Sequence, residues 1–204
     1  MKELVIVCKL EAIRHEDDAS VSIELMEVVE IGCVLCDLNG NVVDEFDTFV
    51  KPVRNPTLNA FYTQLTGITK IDIYSAPTFK RAMMLLDDWA YNCNTMWASW
   101  GLSEYILLRG EQVRTGVESE FMCKPHIDLR EGWRRVAGAG RGKGLAYASR
   151  TYILDFDRAP QRALTDARNT ARVLQYLPYS EISRQASEFD ISARLSKRRM
   201  NERL

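Results

Sequence analysis

Glu27-Val28-Val29-Glu30-Ile31-Gly32-Cys33-Val34-Leu35 leads into Asn39-Gly40, and the chain resumes as Phe46-Asp47-Thr48-Phe49-Val50-Lys51-Pro52. The first run is rich in β-branched and apolar residues, and Asn-Gly is a strong signal for a tight hairpin turn. Val28 to Asp37 and Val42 to Val50 are therefore predicted to pair as antiparallel neighbours. Upstream, Glu3 to Leu10 contains the apolar run Leu4-Val5-Ile6-Val7-Cys8 and supplies another strand. The three read together as an antiparallel meander. Between the first two, Arg14 to Ser22 is polar and charged, as expected of a surface loop.

Downstream the periodicity turns helical. Asn59 can cap a short helix reaching Leu65. Ser75, with Pro77 in the first turn, opens a longer one through Tyr91, with Phe79, Ala82, Met83 and Leu86 on its apolar face. Met96 to Ser99 reads as a short strand running into a helix with Tyr105, Leu107 and Leu108. His126 to Asp128 reads as an edge strand. Two helical stretches flank the loop Gly138-Ala139-Gly140-Arg141-Gly142-Lys143-Gly144. A last helix begins at Asp166, places Ala167, Thr170, Ala171, Leu174 and Leu177 at core spacing, and ends at Pro178.

A chain of 204 residues with 46% apolar content suits one α/β domain, taken as residues 1–178, followed by a basic helical tail over 179–204. The formal net charge of -1 makes no global case for nucleic-acid binding, so any such surface must be local. Five cysteines, at 8, 33, 36, 93 and 123, form no metal-ligand pattern and read as reduced thiols of a cytoplasmic protein. Cys33 and Cys36 fall on opposite faces of one strand because their separation is odd. The chain has no signal-peptide pattern at its start and no apolar stretch approaching 18 residues, so a soluble protein without membrane association is expected.

Several separated motifs coincide with those of one family. They are Lys9-Leu10-Glu11 after the first apolar run, the hairpin strands quoted above, Leu65-Thr66-Gly67-Ile68-Thr69, Ser75-Ala76-Pro77-Thr78-Phe79, Trp100-Gly101-Leu102-Ser103-Glu104, and Gln161-Arg162-Ala163-Leu164-Thr165-Asp166. Over residues 1 to about 177 the chain resembles the DEDD-type 3'-to-5' exonucleases, in the histidine-containing branch that includes ribonuclease T and the histone-mRNA exonuclease. The resemblance implies an α/β, ribonuclease H-like fold with a mixed five-stranded sheet flanked by helices. In that family an Asp-x-Glu pair, a second Asp, and a His followed five residues later by an Asp hold two divalent ions and a water. On this chain Glu11 and Asp166 are retained and Glu104 is a conservative change, whereas Lys9 and Gln161 stand where Asp and His are expected. If any metal binds, Glu11, Glu104 and Asp166 are its candidate ligands, and Mg²⁺ or Mn²⁺ would accompany residual nuclease activity. No cofactor is otherwise expected.

The physical cost of these changes is large. Hydrolysis of this type uses two ions to generate hydroxide and stabilise the leaving oxygen. At about 4 Å and an effective dielectric near 20, a unit charge facing a divalent ion is worth roughly 8 kcal/mol, so reversing its sign shifts the balance by about twice that. Lys9 is expected to pair with Glu11 and Asp166 in place of a metal. Gln161 has no proton-accepting imidazole with which to act as general base. His15 lies in the loop after the first motif and His126 matches no catalytic position.

The expected protein is thus a catalytically degenerate exonuclease-like module. Its partners are RNA or single-stranded DNA ends, or a protein. The alternatives are a weak metal-dependent 3'-to-5' exonuclease and a protein-interaction module without nucleic-acid binding. Candidate nucleic-acid contacts are Arg134, Arg135, Arg141, Lys143 and Arg162, in a locally basic region that begins at Arg130, together with Trp100 as a platform for a terminal base.

Overall fold

The computed structural model describes residues 3–13, 22–54, 58, 60–91, 93, 95–138, 140, 143–152, 154 and 162–189. Strand β1 (Leu4–Ile13) pairs antiparallel with β2 (Glu27–Asp37), and β2 pairs antiparallel with β3 (Val42–Phe49). The turn between β2 and β3 is built as its sequence requires. Gly40 sits at φ 78°, where a side chain is disfavoured, and the Asp37 carboxylate accepts the N–H groups of Asn39 and Asn41 at 3.0 Å. β1 runs past its expected end at Leu10 because a bulge between Glu11 and Ala12 carries its pairing onward to Val28 and Glu27.

Helices α1 (Ala60–Thr66), α2 (Lys70–Tyr74) and α3 (Phe79–Ala90) follow. The expected cap at Asn59 lies outside the described residues. α2 is absent from the sequence reading, and a capping box between Thr69 and Asp72 starts it. α3 begins at Phe79 rather than at Ser75, because Thr78 is its cap and accepts the Arg81 N–H, while the Pro77 carbonyl accepts the Lys51 N–H. Strand β4 (Met96–Ser99) then lies parallel to β1, and α4 (Ser103–Thr115) leaves its carboxyl end. Strand β5 (His126–Asp128) lies parallel to β4 and gives way at once to α5 (Leu129–Ala137). α6 (Leu145–Thr151) and α7 (Ala163–Ala171) follow, and the strands form a mixed five-stranded sheet ordered β3-β2-β1-β4-β5. α7 starts three residues before Asp166, with Arg162 at its cap.

The sheet is covered on both faces. One core layer gathers Ile6, Cys8, Ile31, Cys33, Met83, Leu86, Trp97 and Leu108; the other gathers Val5, Val7, Val34, Cys36, Trp133, Ala167 and Leu174. Cys33 and Cys36 thus face opposite layers. A helix over 179–189 packs Ile182 into the second layer, and its Gln185 side chain accepts the Asp128 N–H and donates to the Asp128 carbonyl. The amide serves the outer edge of β5 as a neighbouring strand would. Residues 190–204 of the expected tail are outside the description. Among the described residues, no helix is long and apolar enough to cross a membrane.

Candidate active site

The site lies beyond the carboxyl ends of β4 and β5, beside the second half of β1, at the edge where open α/β sheets place their ligands. Lys9 and Glu11 are two residues apart on β1 and so project from the same face. Lys9 is the cross-strand partner of Gly32. A methyl group on Gly32 would run into the Ala163–Leu164 backbone, so the missing side chain lets α7 lie against β2. This close approach brings Asp166, in the first turn of α7, over the Lys9 and Glu11 face. Glu104 arrives from the β4–α4 turn, in the first turn of α4.

Glu30 fixes the start of α7. Its carboxylate accepts the Ala163 N–H at 3.0 Å and holds the Arg162 guanidinium through Nε at 2.8 Å and Nη2 at 2.6 Å. A carboxylate at a helix N-terminus meets both the free N–H groups and the positive end of the dipole. The Arg162 guanidinium also lies 5.1 Å from the centroid of the Phe49 ring. Arg162, expected to face nucleic acid, is therefore engaged with Glu30.

The centre of the site is the ion pair between Lys9 Nζ and Glu104 Oε1. The Lys9 side chain is 18% exposed and that of Glu104 only 3%, and Glu104 Oε2 is buried without a hydrogen-bond partner. The expected direct pairing of Lys9 with Glu11 and Asp166 is thus corrected. The ammonium reaches across to α4, while Glu11 and Asp166 act on it at longer range. Burial pulls the Lys9 pKa down, but Glu104 first, then Asp166 and Glu11, outweigh burial and hold the ammonium above its ordinary value. Glu11 is pushed up to about 8, first by burial and then by Asp166 and Glu30. Burial also raises Asp166, against the opposing pull of Lys9.

Glu11, Glu30, Glu104 and Asp166 thus surround Lys9 and Arg162, with the Glu11 carboxyl raised to about 8 by burial and its acidic neighbours. This donor set does not fit a pair of divalent ions. A cation already takes one Glu104 oxygen, and among the described residues no three Asp, Glu, His or Cys side chains converge to hold a metal. Gln161 lies outside the described residues, as do His15 and Arg141.

Trp100 is 8% exposed and packs on Trp133 at 5.7 Å between ring centroids, so its ring belongs to the core and is not presented to a terminal base. Arg134 and Arg135 both hold Glu131, at 2.8 and 3.1 Å, on the surface of α5. Lys143 sits 4.3 Å over the Tyr147 ring. His126 is buried, depressed to about 4 by that burial, and its Nε2 lies 2.8 Å from Ser99 Oγ, which donates to the Gly101 carbonyl at 2.7 Å. It braces the β4–α4 turn. Sequence reasoning overlooked Glu30, although a carboxylate inside the apolar run of β2 was a visible signal.

Comparison with known proteins agrees with this fold. A family model described as exonuclease, of the RNase T type, matches residues 17–174. ERI1 exoribonuclease 2 of Danio rerio is 27% identical over 173 residues, covering 73% of this chain and 31% of that protein. The 3'-5' exonuclease eri1 of Schizosaccharomyces pombe is 22% identical over 182 residues, covering 73% of this chain and 60% of that protein. The chain thus matches less than two thirds of the length of either relative. Among solved structures, the nuclease domain of 3'hExo, a DEDDh family member bound to rAMP, superimposes with a TM-score of 0.76 at 22% identity, over 84% of this chain and 90% of that one. With a family model spanning most of its length, the chain belongs to the DEDDh 3'-to-5' exonuclease family.

Proposed function

We propose that this chain is a family member whose cleft holds the 3' ends of RNA or single-stranded DNA without cutting them. The observation that carries the proposal is the buried ion pair of Lys9 with Glu104, which puts a fixed ammonium where the family's first metal-bridging Asp is expected. Lys9 and Arg162 stand against Glu30, Glu104 and Asp166, with Glu11 raised to about 8, so the floor of the cleft is less negative than one lined by carboxylates alone. A phosphate can approach it without a metal between. RNA is the first candidate, because the superimposable 3'hExo nuclease domain was solved with rAMP and another relative structure concerns 3'-end recognition of a histone mRNA stem-loop. No metal cofactor is needed for such binding. A cytoplasmic setting belongs to the same proposal, in keeping with five unbridged cysteines.

The test is titration of a fluorescent single-stranded oligonucleotide, at rising salt and with or without EDTA. The expected result is weak, salt-sensitive binding that EDTA leaves unchanged. Binding that EDTA removes would instead favour a metal-dependent exonuclease, and no binding even at low salt would favour a protein-interaction module.

A further inference from the structure

Arg130 lies in the first turn of α5, directly beyond the carboxyl end of β5 and at the same edge of the sheet as Lys9 and Glu104. Its guanidinium lies close against Gly101 in the β4–α4 turn. A Cβ built on Gly101 would stand 2.7 Å from Arg130 Nη2, 2.9 Å from Cζ and 3.1 Å from Nε. Gly101 is also held at φ 95°, a conformation L side chains rarely adopt, and its carbonyl is fixed by Ser99. The turn therefore leaves room for the guanidinium three residues before Glu104.

Arg130 differs from its neighbours in what it holds. Arg134 and Arg135 share Glu131, and Arg162 is bound to Glu30. Among the described residues, no carboxylate is within ion-pair distance of the exposed Arg130 side chain, although Asp128 acts on it at longer range. The Asp128 carboxylate instead caps α5 by accepting the Glu131 N–H at 2.9 Å. One helical turn beyond Arg130, on the same face of α5, stands Arg134, and residues at this spacing are about 5–6 Å apart at Cβ. The guanidinium of Arg130 is a planar donor fork suited to a phosphodiester, with the partly engaged Arg134 next along the helix.

We infer that Arg130 is the first phosphate contact outside the cleft, and that the strand leaves over Gly101 and along α5, with its 3' end at Lys9. This rests on the proposal that the cleft holds a nucleic-acid end. It adds a direction and a residue: the contact is made by nucleotides upstream of the terminal one, and only by strands long enough to leave the cleft.

The test uses 5'-fluorescein-labelled oligouridylates of two and twelve nucleotides against wild type, Arg130→Ala, Arg130→Lys and, as a remote control on α4, Arg109→Ala. For the 12-mer, Arg130→Ala should weaken binding about five- to tenfold and lower the salt slope by about 0.7, the share of one phosphate on a single strand. Arg130→Lys should recover part of the affinity. The dinucleotide should bind all four proteins equally, and all four should unfold at the same temperature. Wild-type affinity and salt slope in Arg130→Ala, with binding by wild type intact, would overturn the role of Arg130 and leave end-binding standing. Equal losses for both lengths would overturn the path along α5. Failure of wild type to bind either oligonucleotide would overturn this inference together with the function it rests on.

Discussion

Lys9 Nζ and Glu104 Oε1 form an ion pair across the mouth of the sheet, joining the middle of β1 to the first turn of α4. Removing one partner of a buried pair leaves the other charge desolvated, and that commonly costs about 3–5 kcal/mol. Lys9→Met should therefore destabilise the protein toward the lower part of that range, since Lys9 keeps some solvent contact. Lys9→Met with Glu104→Gln should recover part of the loss, because the Glu104 charge is then no longer stranded although Asp166 still lacks the Lys9 ammonium. Chemical denaturation of the two single variants and the double variant closes the cycle. Additive losses would show that the two side chains do not interact in solution.

Glu11 sets a second expectation. Its folded pKa of about 8 lies above the ordinary glutamate value of 4.5, so the folded state binds this proton more tightly than the unfolded chain. As pH rises above 4.5 the unfolded state releases its proton first. Stability falls until the folded carboxyl titrates near 8, and is level beyond it. The loss should be on the order of 2 kcal/mol after allowance for solvent screening. Glu11→Gln should remove it, so the variant should gain on wild type between pH 5 and pH 9 in thermal melts. A constant difference between the two proteins across that range would place Glu11 outside the acidic cluster.

Gly32 makes a steric prediction. Any Cβ there meets the backbone at the start of α7, not the end of a flexible side chain, so the helix itself must move. Gly32→Ala should destabilise by about 3 kcal/mol or more, beyond ordinary overpacking of a core. It should also weaken oligonucleotide binding, because Asp166 moves with α7. Wild-type stability in this variant would contradict the packing of α7 on β2.

The hairpin from Glu27 to Phe49 and the short strands β4 and β5 were legible because local chemistry decides them: β-branched runs, an Asn-Gly turn, and alternation. The family framework was legible for the same reason, since Lys9, Glu11, Glu104 and Asp166 lie in recognisable local motifs. Contacts that depend on packing were not. Lys9, Glu11 and Asp166 converge in the resembled fold with opposite charges, which points to direct pairing among them. The long Lys9 side chain instead crosses to α4, and its reach depends on how β4 is placed beside β1. Trp100 directly follows β4 beside the site, and its sequence position leaves both core packing and stacking on a terminal base open; the close approach of α5 decides it by burying the ring against Trp133. The α2 helix escaped notice because five residues give too little periodicity, although Thr69 and Asp72 spell its cap.

The most direct measurement is of hydrolysis itself: the purified protein, a 5'-labelled single-stranded RNA, and Mg²⁺ or Mn²⁺, with Glu11→Ala/Asp166→Ala as the control for contaminating nucleases. If the Lys9–Glu104 pair has displaced the two-metal site, wild type and the double variant will leave the RNA equally intact. Metal-dependent shortening from the 3' end by wild type, abolished in the double variant, would contradict that displacement.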